Sequence, residues 1–409
     1  MDTIVKTLLR LPVLSATKFP VGLQSRVENV IRTIKRKSTE VCMIMICGEG
    51  GSGKTTLAKA IYNQIHGRFA AKSLIEGIEQ INEIRGDLRL QEQLLLDLLK
   101  TKVEIDSVEM GRSMIRERLS GKRVLIVLDD VPRINAPLVR ECRNWFEGGS
   151  VIIITTRNEN LQRVYRADSV FRVKQMNAKE SLELLSWHAF REAKPPEEYH
   201  FRAKRVVDDC RGLPLALEVI GTYLYERTEE EWISVLFKLE KIPQHDVKQQ
   251  LQISFDGLSN EMEKYLFLDV CFSFVGKGRT YASKILNGCG IDADSGIRVL
   301  IERSLINVNK NNKLGMHPLL RQMGREIIDK ISLEEPERNS QLWIDTEEEY
   351  VLSKHTVRSS FIYGFETSFG SGCFLMCNIF VFLRSFHLSG QESFRDSLSQ
   401  EIICANVIL

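Results

Sequence analysis

Val41-Cys-Met-Ile-Met-Ile-Cys47 runs directly into Gly48-Glu-Gly50-Gly51-Ser52-Gly53-Lys54-Thr55. Seven consecutive apolar residues predict a strand covered on both faces, as in a parallel sheet. The glycines predict a turn. Thr55–His66 carries apolar residues at Leu57, Ala58, Ile61, Tyr62 and Ile65, which is helical spacing. Between a strand and a helix, Gly-x4-Gly-Lys-Thr reads as a phosphate-binding loop. Glycines let main-chain N–H groups curl inward onto phosphate oxygens. The helix N-terminus adds partial positive charge. Lys54 brings an ammonium to the β/γ-phosphates, and the Thr55 hydroxyl can ligate Mg²⁺. The bare pattern arises by chance in roughly one chain in a hundred of this length. The flanking strand and helix lower that further.

Outward from this loop the alternation continues. A helix is expected at Ser25–Arg36. Helical patterns at Leu88–Lys100 and Val108–Ser120 precede a second apolar strand, Arg123–Asp129. Val151–Ile154 and Ser169–Val173 predict two more. Interleaved strands and helices predict an open α/β parallel sheet with right-handed crossovers. The second strand ends in Asp129-Asp130. Its first carboxylate is suited to hold Mg²⁺, often through water. Asp130 could orient a water toward the γ-phosphate, or merely cap the next segment. Ile152-Ile-Ile-Thr155-Thr156-Arg157 puts an Arg past a strand end, either to sense the γ-phosphate or to sit solvated.

After residue 176 the strand signals stop. Helical patterns run through Ala178–Phe190, Phe201–Cys210, Leu213–Tyr225 and Glu230–Leu239, the third opening on Gly212-Leu-Pro214 with Pro in the first turn. Further helices at Val247–Phe255, Glu261–Phe272, Tyr281–Leu286 and Ile297–Arg303 lead to a hairpin signal. Leu305–Val308 and Leu314–His317 there flank an Asn/Lys loop. A helix over Leu319–Ile331 follows. Helices followed by one hairpin suggest a winged helix. Residues 340–409 show no sustained period. The expected domains are a linker remnant (1–18), a P-loop domain (19–175), a helical subdomain (176–240), a winged-helix subdomain (241–332) and an irregular tail (333–409).

Lys+Arg 56 against Asp+Glu 54 gives a net charge of +2. No global basic field exists to attract nucleic acid, and Arg32–Lys37 reads as a solvated helix face. The longest apolar stretch, Cys373–Leu383, is 11 residues, against about 20 for a membrane span. Nine scattered Cys read as buried free thiols. A cytoplasmic or nuclear location follows as the expectation.

Taken in order, Phe19-Pro-Val21-Gly22, Gly48–Thr56, Leu94–Lys100, Leu128-Asp-Asp-Val131, Thr155-Thr-Arg157, Gly212-Leu-Pro-Leu215, Phe267-Leu-Asp-Val-Cys-Phe272 and Met316-His317 resemble one known arrangement. It is the NB-ARC module of plant intracellular immune receptors, within the STAND class of P-loop NTPases. The variant is similar to the one that follows a TIR domain. The resemblance spans roughly residues 19–330. It implies that Val21 and Gly22 lie against adenine and that Lys54, Thr55 and Thr56 hold phosphates and Mg²⁺. It further implies that Arg157 senses nucleotide state, that Pro214 packs on adenine, and that His317 reaches the β-phosphate. A closed ADP form would rest, and exchange to ATP would open it for plant defence signalling, with slow hydrolysis. Without the resemblance, His317 reads first as a core or cap residue.

Two departures stand out. Pro318 follows His317 where the family usually has Asp, removing a carboxylate worth about 1–3 kcal/mol per lost bond; a looser ADP-bound state is expected. Only about 18 residues precede the module, and the tail shows no leucine-rich pattern. The chain is therefore expected to keep the switch without the usual output and sensor domains. The competing reading is a truncated adaptor or decoy for full-length immune receptors, binding nucleotide for structure only; self-association is a further expected partnership. A ring-forming motor is disfavoured, since no clear second arginine motif is present.

Overall fold

A computed structural model describes residues 14–334, apart from Ser15, Ser38, 79–85, 132–138, 140–141, 244–245, 289–290 and Lys310. Most of the expected linker remnant, and the tail from residue 335 with its linker-like Trp343–Thr356, lie outside the described residues. So do Cys289, Cys373, Cys377 and Cys404. The chain divides after Gln250 into two compact units.

The first unit is built on a five-stranded parallel sheet in the order β2-β3-β4-β1-β5. Its strands are β1 (Cys42–Cys47), β2 (Ala71–Ile75), β3 (Val124–Leu128), β4 (Val151–Thr156) and β5 (Ser169–Arg172). Every residue of β1, β3 and β4 is buried, as their unbroken apolar runs require of central strands. The outer strands differ: β2 alternates buried and half-buried, and β5 is mostly half-buried. Sequence reading expected four of these strands and missed β2, whose Lys72 and Ser73 break the apolar run.

Helices cover both faces. α1 (Leu23–Arg36) and α2 (Lys54–Ile65) share one core with Ile44, Ile46, Val127 and Ile153. α3 (Gly86–Leu99) and α4 (Val108–Leu119) pack on the other, against Met43, Met45, Ile126 and Ile154. The strands' alternate side chains thus feed two separate cores. After the short α5 (Leu161–Tyr165) and β5 come four helices. These are α6 (Ala178–Ala189), α7 (His200–Cys210), α8 (Pro214–Tyr223) and α9 (Glu229–Lys241). α6 and α9 each open with a complete capping box, Asn177/Glu180 and Thr228/Glu231.

α10 (Val247–Asp256) spans the division. The second unit continues with α11 (Glu261–Asp269), a π-turn (Val270–Phe274), α12 (Arg279–Gly288) and α13 (Ala293–Glu302). The antiparallel pair β6 (Asn307–Val308) and β7 (Leu314–Gly315) and then α14 (Pro318–Glu334) complete it. The expected helix Glu261–Phe272 breaks into α-helix and π-turn. Pro318 opens α14 at its first position, as its missing N–H allows. The five described cysteines are all free and buried.

Candidate functional site

The glycine loop turns from the end of β1 into α2. Gly53 caps α2 with φ 90°, a left-handed value that L side chains adopt at a cost, and a Cβ there would meet nothing within 4 Å. Gly51, also left-handed at φ 80°, is constrained by proximity as well: a Cβ would press on Leu215 at 3.0 Å. The Leu215 N–H donates to Gly51 O at 3.3 Å, so the first turn of α8, with Pro214 at its start, abuts the loop.

Lys54 is buried, and its ammonium donates to Glu49 O at 2.7 Å. Burial lowers its pKa, while the Asp130 charge opposes that shift. Ser52 Oγ is buried with no hydrogen-bond partner among the described residues. An unsatisfied buried hydroxyl is costly in a native fold and calls for a missing partner. The open face of Gly53, the orphan hydroxyl and the buried ammonium together fit an oxyanion.

Thr55 donates to Asp129 Oδ1 at 2.9 Å, with Oδ2 at 3.1 Å. From β4, Thr155 Oγ1 donates to Asp129 Oδ1 at 2.6 Å and accepts the Asp130 N–H at 2.8 Å. One hydroxyl thus fixes both acids. Burial raises the pKa of Asp129, and the bonds from Thr155 and Thr55 work against the rise. A hydroxyl and a carboxylate at this spacing form an all-oxygen donor set suited to Mg²⁺. Asp130 holds φ 54°, uncommon outside glycine, and such strain gathers at functional sites. Its carboxylate meets Arg157 Nη2 at 3.4 Å, with Arg157 exposed. An open pair of this kind contributes about 0–1 kcal/mol.

Of the residues picked from sequence, Gly48, Gly50, Gly51, Ser52, Gly53, Lys54, Thr55 and Thr56 lie on the loop and the first turn of α2. Asp129, Asp130 and Arg157 gather at the carboxyl ends of the neighbouring β3 and β4. Pro214 lies beside the loop. Val21 and Gly22 are at the head of α1, and Gly22 is held to α6 through Arg26 and Glu180. His317 belongs to the second unit, where its Nδ1 accepts the Leu319 N–H at 3.1 Å and caps α14. The bonding roles of Thr155 and of the Glu49 carbonyl went unread in the sequence. Two threonines ending a buried strand beside the Asp129 strand were the available signal for the first; a main-chain oxygen gives none.

A buried parallel sheet whose first strand feeds a glycine loop and helix, with a carboxylate ending β3, defines a P-loop NTPase fold. The chain carries an NB-ARC domain, matched over residues 23–194, and a Roq1-like disease resistance winged-helix domain over 260–332. An NB-ARC domain implies nucleotide binding. The chain is similar to disease resistance protein RUN1 of Vitis rotundifolia, 40% identical over 338 residues, covering 82% of this chain and 25% of that one. It is also similar to TMV resistance protein N of Nicotiana glutinosa, 33% identical over 342 residues, covering 82% and 30% respectively. The chain therefore spans about a quarter to a third of the length of these curated relatives. No described helix is long and apolar enough to cross a membrane.

Proposed function

We propose that this chain is an ADP- and ATP-binding switch of plant immune signalling, resting with ADP, active with ATP, and hydrolysing ATP slowly. The observation that carries the reading is the bonded set Thr55–Asp129–Thr155–Asp130 at the foot of a glycine loop that also holds the buried Lys54 and the orphan hydroxyl of Ser52. Loop amides and Lys54 would hold the phosphates. Thr55 and Asp129 would hold Mg²⁺, which when bound neutralises phosphate charge. Asp130 is the candidate to orient a water, and its pairing with Arg157 supports Arg157 as the residue that reports on the third phosphate. Burial of Lys54 and Asp129 strengthens their electrostatics toward a charged ligand. The same reading puts the protein inside the cell.

Lys54→Ala tests it. ADP with Mg²⁺ should raise the melting temperature of the natural chain, following the logarithm of ligand over Kd, and leave the variant unmoved. Equal shifts in both proteins would remove Lys54 from the site. Release of nucleotide on denaturing the purified protein identifies which one it carries.

A further inference from the structure

The basic run Arg32–Lys37 has no part in the site above. In the fold its Lys35 and Lys37 line a hollow together with Arg68 and Arg123, and no acidic side chain lines it among the described residues. The hollow has a volume of about 130 Å³. Core residues Ile31, Ile65, Phe69 and Val151 give it an apolar floor. An adjoining hollow of about 260 Å³ shares Ile31 and Lys35 and adds Arg32, with Glu28 as its acid.

The four cations come from three separate stretches of chain. Lys35 is on α1 and Lys37 just past its end, Arg68 lies between α2 and β2, and Arg123 stands immediately before β3. All face the amino ends of the strands, whereas the glycine loop and Asp129 lie at the carboxyl ends. β1 has six residues at about 3.3 Å each, which sets the two ends about 20 Å apart. The hollow is therefore a place distinct from the glycine-loop site.

Lys37 is committed, since its ammonium donates to Asp168 Oδ1 at 3.0 Å. Lys35, Arg68 and Arg123 are exposed and have no hydrogen-bond or ion-pair partner among the described residues. Arg123 lies across the bare backbone of Gly149, where a Cβ would come within 2.6 Å of its Nε. Three like charges around one hollow repel, a cost that a bound anion removes. Guanidinium forks match phosphate oxygens two bonds at a time, and an ammonium adds a point charge. A single carboxylate would answer one charge of the three. Two or more phosphates on a carbon frame would answer them all, with the frame resting on the apolar floor.

We propose that this hollow binds an organic molecule carrying at least two phosphate groups, as an anion site independent of the glycine loop. A soluble polyol phosphate and a phosphorylated lipid headgroup present the same chemistry, and the experiment separates them. The full chain is titrated calorimetrically with inositol trisphosphate at about 150 mM salt, where diffuse surface attraction is screened. It is also sedimented with phosphatidylcholine vesicles, with and without phosphatidylinositol bisphosphate. Saturable binding of the soluble probe without vesicle capture assigns a soluble ligand. Capture by the bisphosphate vesicles and not by plain ones assigns a headgroup. In either case Arg68→Gln and Arg123→Gln should each weaken binding by about tenfold, the size of one charge-assisted bond, at unchanged melting temperature. Lys54→Ala, and Lys238→Gln at an exposed cation of α9, should each stay within about twofold. Absence of binding to both probes, or unchanged affinity in both arginine variants, would overturn the proposal. So would an equal loss with Lys238→Gln, which would mean diffuse charge, or a loss confined to Lys54→Ala, which would return the probe to the glycine loop.

Discussion

Thr155 shows how much can depend on one hydroxyl. Its oxygen gives its hydrogen to Asp129 and takes the main-chain N–H of Asp130, which is held at an uncommon left-handed φ. Thr155→Val keeps the volume and removes both bonds. It leaves a half-buried N–H unpaired and strips a stabilising partner from a buried carboxylate. Each loss costs about 1–3 kcal/mol. A melting temperature lowered by several degrees, with weaker Mg²⁺ dependence of ADP binding, is the expected result; Thr155→Ser should recover most of both. Gly22→Ala acts by steric means. The new methyl occupies the space of the Glu180 and Arg26 head groups, at a φ that alanine resists. The melting temperature should fall by several degrees in this variant, measured by thermal denaturation.

Elements carry the next level of consequence. α11 ends on Asp269, which is buried, and burial alone raises its pKa to about 8. The folded chain then holds a proton that the unfolded chain has released above about pH 4. Stability must fall as pH rises from about 4 to about 8, by at most on the order of 5 kcal/mol. Asp269→Asn should remove this slope and raise the melting temperature at pH 8 far more than at pH 5. Equal gains at both pH values would place the ionisation of Asp269 outside that window. Such a residue also shows where sequence reading stops. The apolar runs of β1, β3 and β4, the glycine loop and the 3.6-residue periods of the helices were all legible, because each is a local pattern imposed by the element itself. β2 was not, since an edge strand with Lys72 half-exposed need not be apolar. The π-turn at Val270–Phe274 was not, since its apolar residues fit an α-helix equally well. Lys54, Thr55 and Asp129 could be named because their motifs fix residue type and spacing together. The Arg26–Glu180 pair, 154 positions apart, is a product of the tertiary fold that no local pattern encodes.

For the whole molecule, charge is close to balanced at +2. Binding to duplex DNA through phosphates would need several released counterions, and a near-neutral surface supplies few. At about 150 mM salt, duplex DNA should show no saturable binding by fluorescence anisotropy; a steep loss of affinity with added salt would reveal a local cationic face instead. The strand order has its own bearing on tolerance to change. β4 stands between the glycine-loop strand and the Asp129 strand, and all six of its residues are buried. Shifting a strand by one residue reverses every side chain. One residue inserted ahead of β4 would exchange Ile for Ile at only two of its six sites and bring Ser150 and Ile154 to the sites of Val151 and Thr155. Thr155 itself would swing to the opposite face and abandon the acids. The bend at Gly148–Ser150, where a Cβ on Gly148 would strike the Thr39 carbonyl and Gly149 holds φ 84°, should therefore accept neither a side chain nor an inserted residue.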